Sequence, residues 1–133
     1  MTTHTMSVSL DRPYEESVVA VREALSGQGF GVLTEIDVAA TLKQKLDVDV
    51  PAQVILGACR PELAHKALAT VPSIATLLPC NVVVRSVGDA VTVVEAIDPL
   101  AMLQLADDPA LGEVATDARG RLRAALDSLA GAR

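Results

Sequence analysis

Residues 54–84 read VILGACRPELAHKALATVPSIATLLPCNVVV, and this stretch decides the fold. Gln53 to Cys59 is a short apolar run introduced by Pro51 and closed by Pro61, the length and punctuation of a strand. Pro61 suits the first turn of a helix, where its missing N–H would have no partner in any case. Leu63, Ala64, Ala67 and Leu68 then give one apolar face, so a helix is expected through about Thr70. VPSIATLLP is a less regular bridge with room for one further helical turn. Asn81 opens the next strand. The stretch thus holds strand, helix and strand, both cysteines, and His65, which is the one histidine outside the N-terminal tail.

Downstream, Asn81 to Val87 and Ala90 to Ile97 read as a hairpin, with Gly88-Asp89 as the glycine-first pair of a type II′ turn. Asp98-Pro99 and Asp108-Pro109 each place a capping carboxylate before a proline, the first starting a short helical piece and the second the last helix. Val114, Ala118, Leu122, Ala125 and Leu129 form the apolar stripe of that helix. Upstream, Met6, Val8 and Leu10 alternate with serines as in a half-buried strand. Asp11 is placed to cap the following helix, whose inner face is Tyr14, Val18, Val21 and Leu25. Gly27, Gly29 and Gly31 follow a helix and precede a strand, the reverse of a dinucleotide-binding loop, and are read as a helix C-terminus and turn. Phe30 to Asp37 is a strand and Ala39 to Leu46 a short helix. The predicted fold class is α+β, a single layer of mixed or antiparallel sheet packed by helices in the order β-α-β-α-β-α-β-β-α.

The chain has 133 residues, half of them apolar but only 2% aromatic, so its core must be assembled from Val, Leu, Ile and Ala. This length fits one domain, expected over residues 6–133 behind a frayed polar tail at 1–5 that includes His4. A net charge of -6 without a basic run excludes nucleic acid as a partner. No apolar run approaches the span of a membrane helix, and the first ten residues lack the form of a secretory signal, so no membrane partner is expected. Two cysteines in such a chain are read as reduced thiols in the cytoplasm.

Cys59 closes a strand just before a helix, where free amides and the helix dipole would lower a thiol pKa; the plainer reading is a small buried apolar side chain. Cys80 enters the strand beyond that helix, and His65 lies about one turn into it. Two thiolates and an imidazole are a donor set for zinc or a softer metal, although no Cys-x-x-Cys pair is present. Glu95 alternates in line with Val91, Val93 and Ile97, so it is buried or lines a pocket if that line faces the core. Glu35 and Asp37 share a strand face with Leu33. Converging carboxylates would serve as acid and base, whereas scattered ones belong to solvated faces and caps.

LGACRPELAHKAL, LLPCNVVV, EAIDP and the upstream GFGVLTEID together resemble the family of the domain of unknown function 302, from about Val8 to Leu105. Glu35, Asp37, Gly57, Cys59, Pro61, Ala64, His65, Pro79, Cys80, Asn81, Asp98 and Pro99 stand at its motif positions. Arg60 departs from the Asn or Asp expected there and cannot cap a helix as those do. The resemblance implies a compact α+β homodimer and no established activity or cofactor. The functional expectation is a homodimeric module binding a small molecule or metal ion near Cys59, His65 and Cys80, bordered by Glu35 or Glu95. Two alternatives stand beside it: a thiol-dependent redox enzyme using Cys59, and an interaction domain acting through a sheet edge or its last helix.

Overall fold

In a computed structural model that describes residues 4–131, the elements are β1 (Thr5–Leu10), α1 (Tyr14–Gly27), β2 (Gly31–Asp37), α2 (Val38–Leu46), β3 (Gln53–Cys59) and α3 (Pro61–Thr70). A 3-10 segment (Pro72–Leu77), β4 (Cys80–Gly88), β5 (Val91–Ile97), α4 (Pro99–Ala106), a second 3-10 segment (Pro109–Leu111) and α5 (Gly112–Gly131) complete it. The strands form one sheet in the order β1-β5-β4-β3-β2, with every neighbouring pair antiparallel. The fold is therefore α+β with an antiparallel sheet, and the strand and helix in the stretch around Cys59 run over the residues the sequence predicts.

One face of the sheet carries the core. The register aligns Met6 with Ala96 and Val82, and Val8 with Val94, Val84 and Val54. Across from them, α1 contributes Val21 and Leu25, and α5 contributes Leu122, Ala125, Leu126 and Leu129. Each fully buried Val or Leu stabilises the fold by about 1.5–3 kcal/mol. The two buried hydroxyls are satisfied: Thr92 Oγ1 donates to the Arg12 carbonyl at 2.8 Å and Ser17 Oγ to the Pro13 carbonyl at 3.0 Å. The stripe of the last helix is thus packed inside the domain, which removes it as a docking surface.

Several local expectations are corrected. β1 begins at Thr5, and the His4 carbonyl accepts a hydrogen bond from the Asp98 N–H at 2.7 Å; residues 1–3 of the expected tail lie outside the described residues. Pro13, not Asp11, occupies the N-cap position of α1. Asp37 ends β2 by capping α2, accepting from the Ala40 N–H at 2.9 Å. The hairpin turn falls on Asp89 and Ala90, because Gly88 pairs with Val91 after a register shift and does not take the left-handed φ of a type II′ turn. Gly29 does, at φ +83, and turns the chain from α1 into β2. Asp98 caps α4 as expected, accepting from the Leu100 N–H at 2.9 Å, whereas Asp108 accepts from the Ala110 N–H at 2.9 Å to cap the 3-10 segment Pro109–Leu111, and the last helix starts only at Gly112.

Candidate functional site

Beyond the end of β3 the sheet no longer fills the space between the helices. Pro61 turns the chain into α3, which buries Leu63 and Ala67, while the bridge that follows packs Ile74 against Ala67 and Leu111 as a second small cluster. Between this cluster and the main core lies a hollow of about 70 Å³. Its walls come from β3 and β4 (Ala58, Cys59, Cys80), α3 (Leu63, Ala64, Ala67), α4 (Met102, Leu103) and α5 (Ala115, Ala118), with Phe30 and Arg60 also lining it. Such a volume holds several heavy atoms rather than a large cofactor.

Both thiols line this hollow, as the sequence suggests: Cys59 ends β3, Cys80 opens β4, and the register sets Ala58 opposite Cys80. They are not bonded to each other. The lowered Cys59 pKa expected from the helix start is reversed, because burial raises it. Cys80 is pushed up to about 11, first by burial and then by the neighbouring Cys59. Both groups are neutral thiols at pH 7, and the chemistry they offer there is that of weakly polar, polarisable walls.

The other sequence candidates do not join them. His65 lies on the exposed side of α3, away from the hollow that Leu63, Ala64 and Ala67 face. Among the described residues no group of three or more His, Cys, Asp or Glu is placed to hold a metal ion. Glu35 is on edge strand β2, ion-paired with Arg22 of α1. Glu95 is on β5 with Val83 opposite it, on the sheet face away from the core, because Thr92, Val94 and Ala96 take the inward positions. There it accepts from Arg85 Nε at 3.1 Å and Nη2 at 3.0 Å. This pair borders a separate open cleft of about 880 Å³, also lined by Gln53, Asn81, Leu77 and Leu105. With β4 and β3 between their strands and on opposite sheet faces, Glu35 and Glu95 cannot act as one acid–base pair.

Arg60, which the sequence marks out only by its inability to cap a helix, also belongs to the site. Its side chain is 19% exposed, and it meets Glu62 only through Nη1 to Oε2 at 3.5 Å. Nε is buried with no hydrogen-bond acceptor among the described residues. A buried donor without a partner costs about 1–3 kcal/mol, so this atom is an exception in a protein whose buried hydroxyls are satisfied. The signal in the sequence was a charged residue between the end of an apolar strand and a helix-starting proline.

The sequence pattern of the family described as "Domain of unknown function DUF302" matches residues 6–129. The chain belongs to the DUF302 family. A crystal structure of an uncharacterized conserved DUF302 protein from Bacillus stearothermophilus is similar at 30% identity and a TM-score of 0.88, covering 96% of this chain and 99% of that one. No curated protein matches. The GAC and LPC blocks of this DUF302 chain have a steric basis. Gly57 lies under the ring of Pro79 and beside Thr34, where a Cβ would meet Pro79 Cγ at 2.7 Å. No helix among the described residues is long and apolar enough to cross a membrane.

Proposed function

We propose that this DUF302 domain is a binding module that takes a small, largely apolar molecule into the hollow between α3, α4 and α5, with Cys59 and Cys80 as part of its wall. The observation that carries the reading is the hollow itself, a concave apolar site where several elements meet, with one cationic group at its edge. The metal reading loses its support because His65 faces away and the thiols favour their protonated forms. The same raised thiols weigh against a thiolate enzyme. Unpaired cysteines suit a reducing compartment, and the proposal places the domain in the cytoplasm.

The module is proposed to work as a homodimer whose partner covers the sheet face opposite α1 and α5. On that face Ile36 pairs with Ile55 and Ile55 with Val83, an apolar row that ends at Glu95. Light scattering on the purified 13.8 kDa chain checks this, and a monomer at all concentrations would remove the dimer from the proposal. For the site, hexan-1-ol titrated into labelled protein is expected to shift the Met102 and Ile74 methyl resonances saturably. Shifts that are linear in alcohol, or spread evenly over the surface, would refute a ligand site here.

A further inference from the structure

The geometry points to a ligand class for the hollow: we infer that it takes a small organic anion, with an apolar body inside and a carboxylate or equivalent oxyanion on the Arg60 guanidinium. This rests on the reading of the hollow as a ligand site and adds the charge that the ligand must carry.

Among the described residues that line the hollow, Arg60 alone is charged. Its position is fixed by the fold, since it is the N-cap residue of α3, held between the end of β3 and Pro61. A guanidinium stays protonated at any working pH, so its five donors need acceptors. The described residues supply one weak contact, from Nη1 to the exposed Glu62 carboxylate at 3.5 Å, and none to the buried Nε. The Nε–Nη2 edge of an arginine is one of the two forks that accept a carboxylate side-on through parallel hydrogen bonds. Gly29, with φ +83, lies against that edge, where a Cβ would meet Nε at 2.9 Å and Nη2 at 3.6 Å; Nε has no exposed surface, so the donors left for an oxyanion are those of the Nη groups. A cation of this kind beside apolar walls selects a molecule that is both hydrophobic and negatively charged. A neutral hydrocarbon leaves those donors unpaired, and a fully hydrated inorganic anion gains nothing from Leu63, Ala64 and Met102.

The test compares two probes of equal length, hexanoate and hexan-1-ol, by the Met102 and Ile74 methyl shifts at neutral pH. Hexanoate is expected to bind about tenfold more tightly, the factor one charge-assisted hydrogen bond supplies. Arg60→Met should bring hexanoate down to the affinity of the alcohol while leaving hexan-1-ol within about twofold. Equal binding of both probes to the unaltered protein would overturn the anion inference and leave the apolar site standing. Binding of neither would overturn both. The two-probe comparison needs no substitution, so it decides the matter even if Arg60→Met fails to fold. Gly29→Ala, which crowds the guanidinium without removing its charge, should reduce the preference for hexanoate; a preference unchanged in a folded Gly29→Ala protein and in Arg60→Met would show that the anion sits elsewhere and refute the assignment.

Discussion

Replacing Gly57 with alanine tests whether the junction of β3 with the bridge into β4 is packed as described. Two effects oppose each other. Alanine in a strand is favoured over glycine by about 0.5–1 kcal/mol, because the unfolded chain has less freedom to lose. Against this, the new methyl would meet Thr34 Oγ1 and, at 2.7 Å, Pro79 Cγ. The threonine rotates away at small expense, but the proline ring is tied to the backbone and must move with it. Overpacking of this kind costs about 1–3 kcal/mol, so strain outweighs the propensity gain and the net loss is about 1–2 kcal/mol. For 133 residues an unfolding entropy of about 0.28 kcal/mol/K converts that loss into a fall in Tm of about 4–7 °C. Thermal unfolding followed by circular dichroism measures it. Adding Thr34→Ala should recover only the part of the loss due to the hydroxyl, because the ring stays in place. A Gly57→Ala protein as stable as its parent would show that Pro79 does not press on β3, and the wall of the hollow would then need redrawing.

Asp98 caps α4 through Oδ1 and receives Arg119 Nε on Oδ2 at 3.1 Å, so Asp98→Ala should cost about 1–2 kcal/mol in urea unfolding. Asp98→Asn keeps the cap and should cost less than half as much; equal losses would contradict the cap as the main contribution. Cys80 holds its proton in the native state to about pH 11 against 9.0 as its ordinary value. The native state then binds more protons than the unfolded chain between those values, and stability falls as pH rises through that window, by up to about 3 kcal/mol. Thermal scans at stepped alkaline pH should show a shallower decline in Cys80→Ala; parallel declines would place Cys80 outside the buried wall. Ala64→Leu should fill the hollow, abolish the methyl shifts with hexan-1-ol and leave Tm unchanged or raised, whereas retained binding in the folded variant would move the site away from α3.

The fold was legible where periodicity and punctuation agreed. Pro61 and Asp98-Pro99 placed two helix starts, alternation placed β1 and β5, and the apolar run between two prolines placed β3, because these signals act on local backbone and need no knowledge of the rest of the chain. What failed was information held only in tertiary packing. Val91, Val93, Glu95 and Ile97 alternate as regularly as Thr92, Val94 and Ala96, so period alone does not say which set faces α1 and α5. The same holds for His65. Its helix has apolar residues on either side of it in sequence, and only the position of Leu63 and Ala67 against the core turns His65 outward. The convergence of Cys59 and Cys80 was readable because one helix separates two strands that then pair directly. Arg60 was noticed for the cap it cannot provide, whereas its place in the hollow depends on Gly29, Phe30 and Met102, which are remote in sequence.

The hollow follows from the composition noted at the outset. With almost no aromatic side chains, this chain fills its core with branched aliphatics along the sheet, where strands bring Val and Leu to regular spacing. At the junction of α3 and α5 the facing positions are Ala64, Ala67, Ala115 and Ala118, whose methyl groups are too short to meet across the gap left beyond Ala58. A void costs about 24 cal/mol per Å³, so about 70 Å³ forgoes at most about 2 kcal/mol of packing. Larger residues at any of several alanines would recover part of that. The unpaired Nε of Arg60 adds a second local cost at the same place. Two independent departures from good packing coincide at one end of the sheet, while the main core between α1 and α5 leaves a void of only about 10 Å³. A ligand that fills the volume and meets the Nη donors of the same guanidinium recovers the lost packing and adds a charge-assisted contact, so the void and the cation form one site.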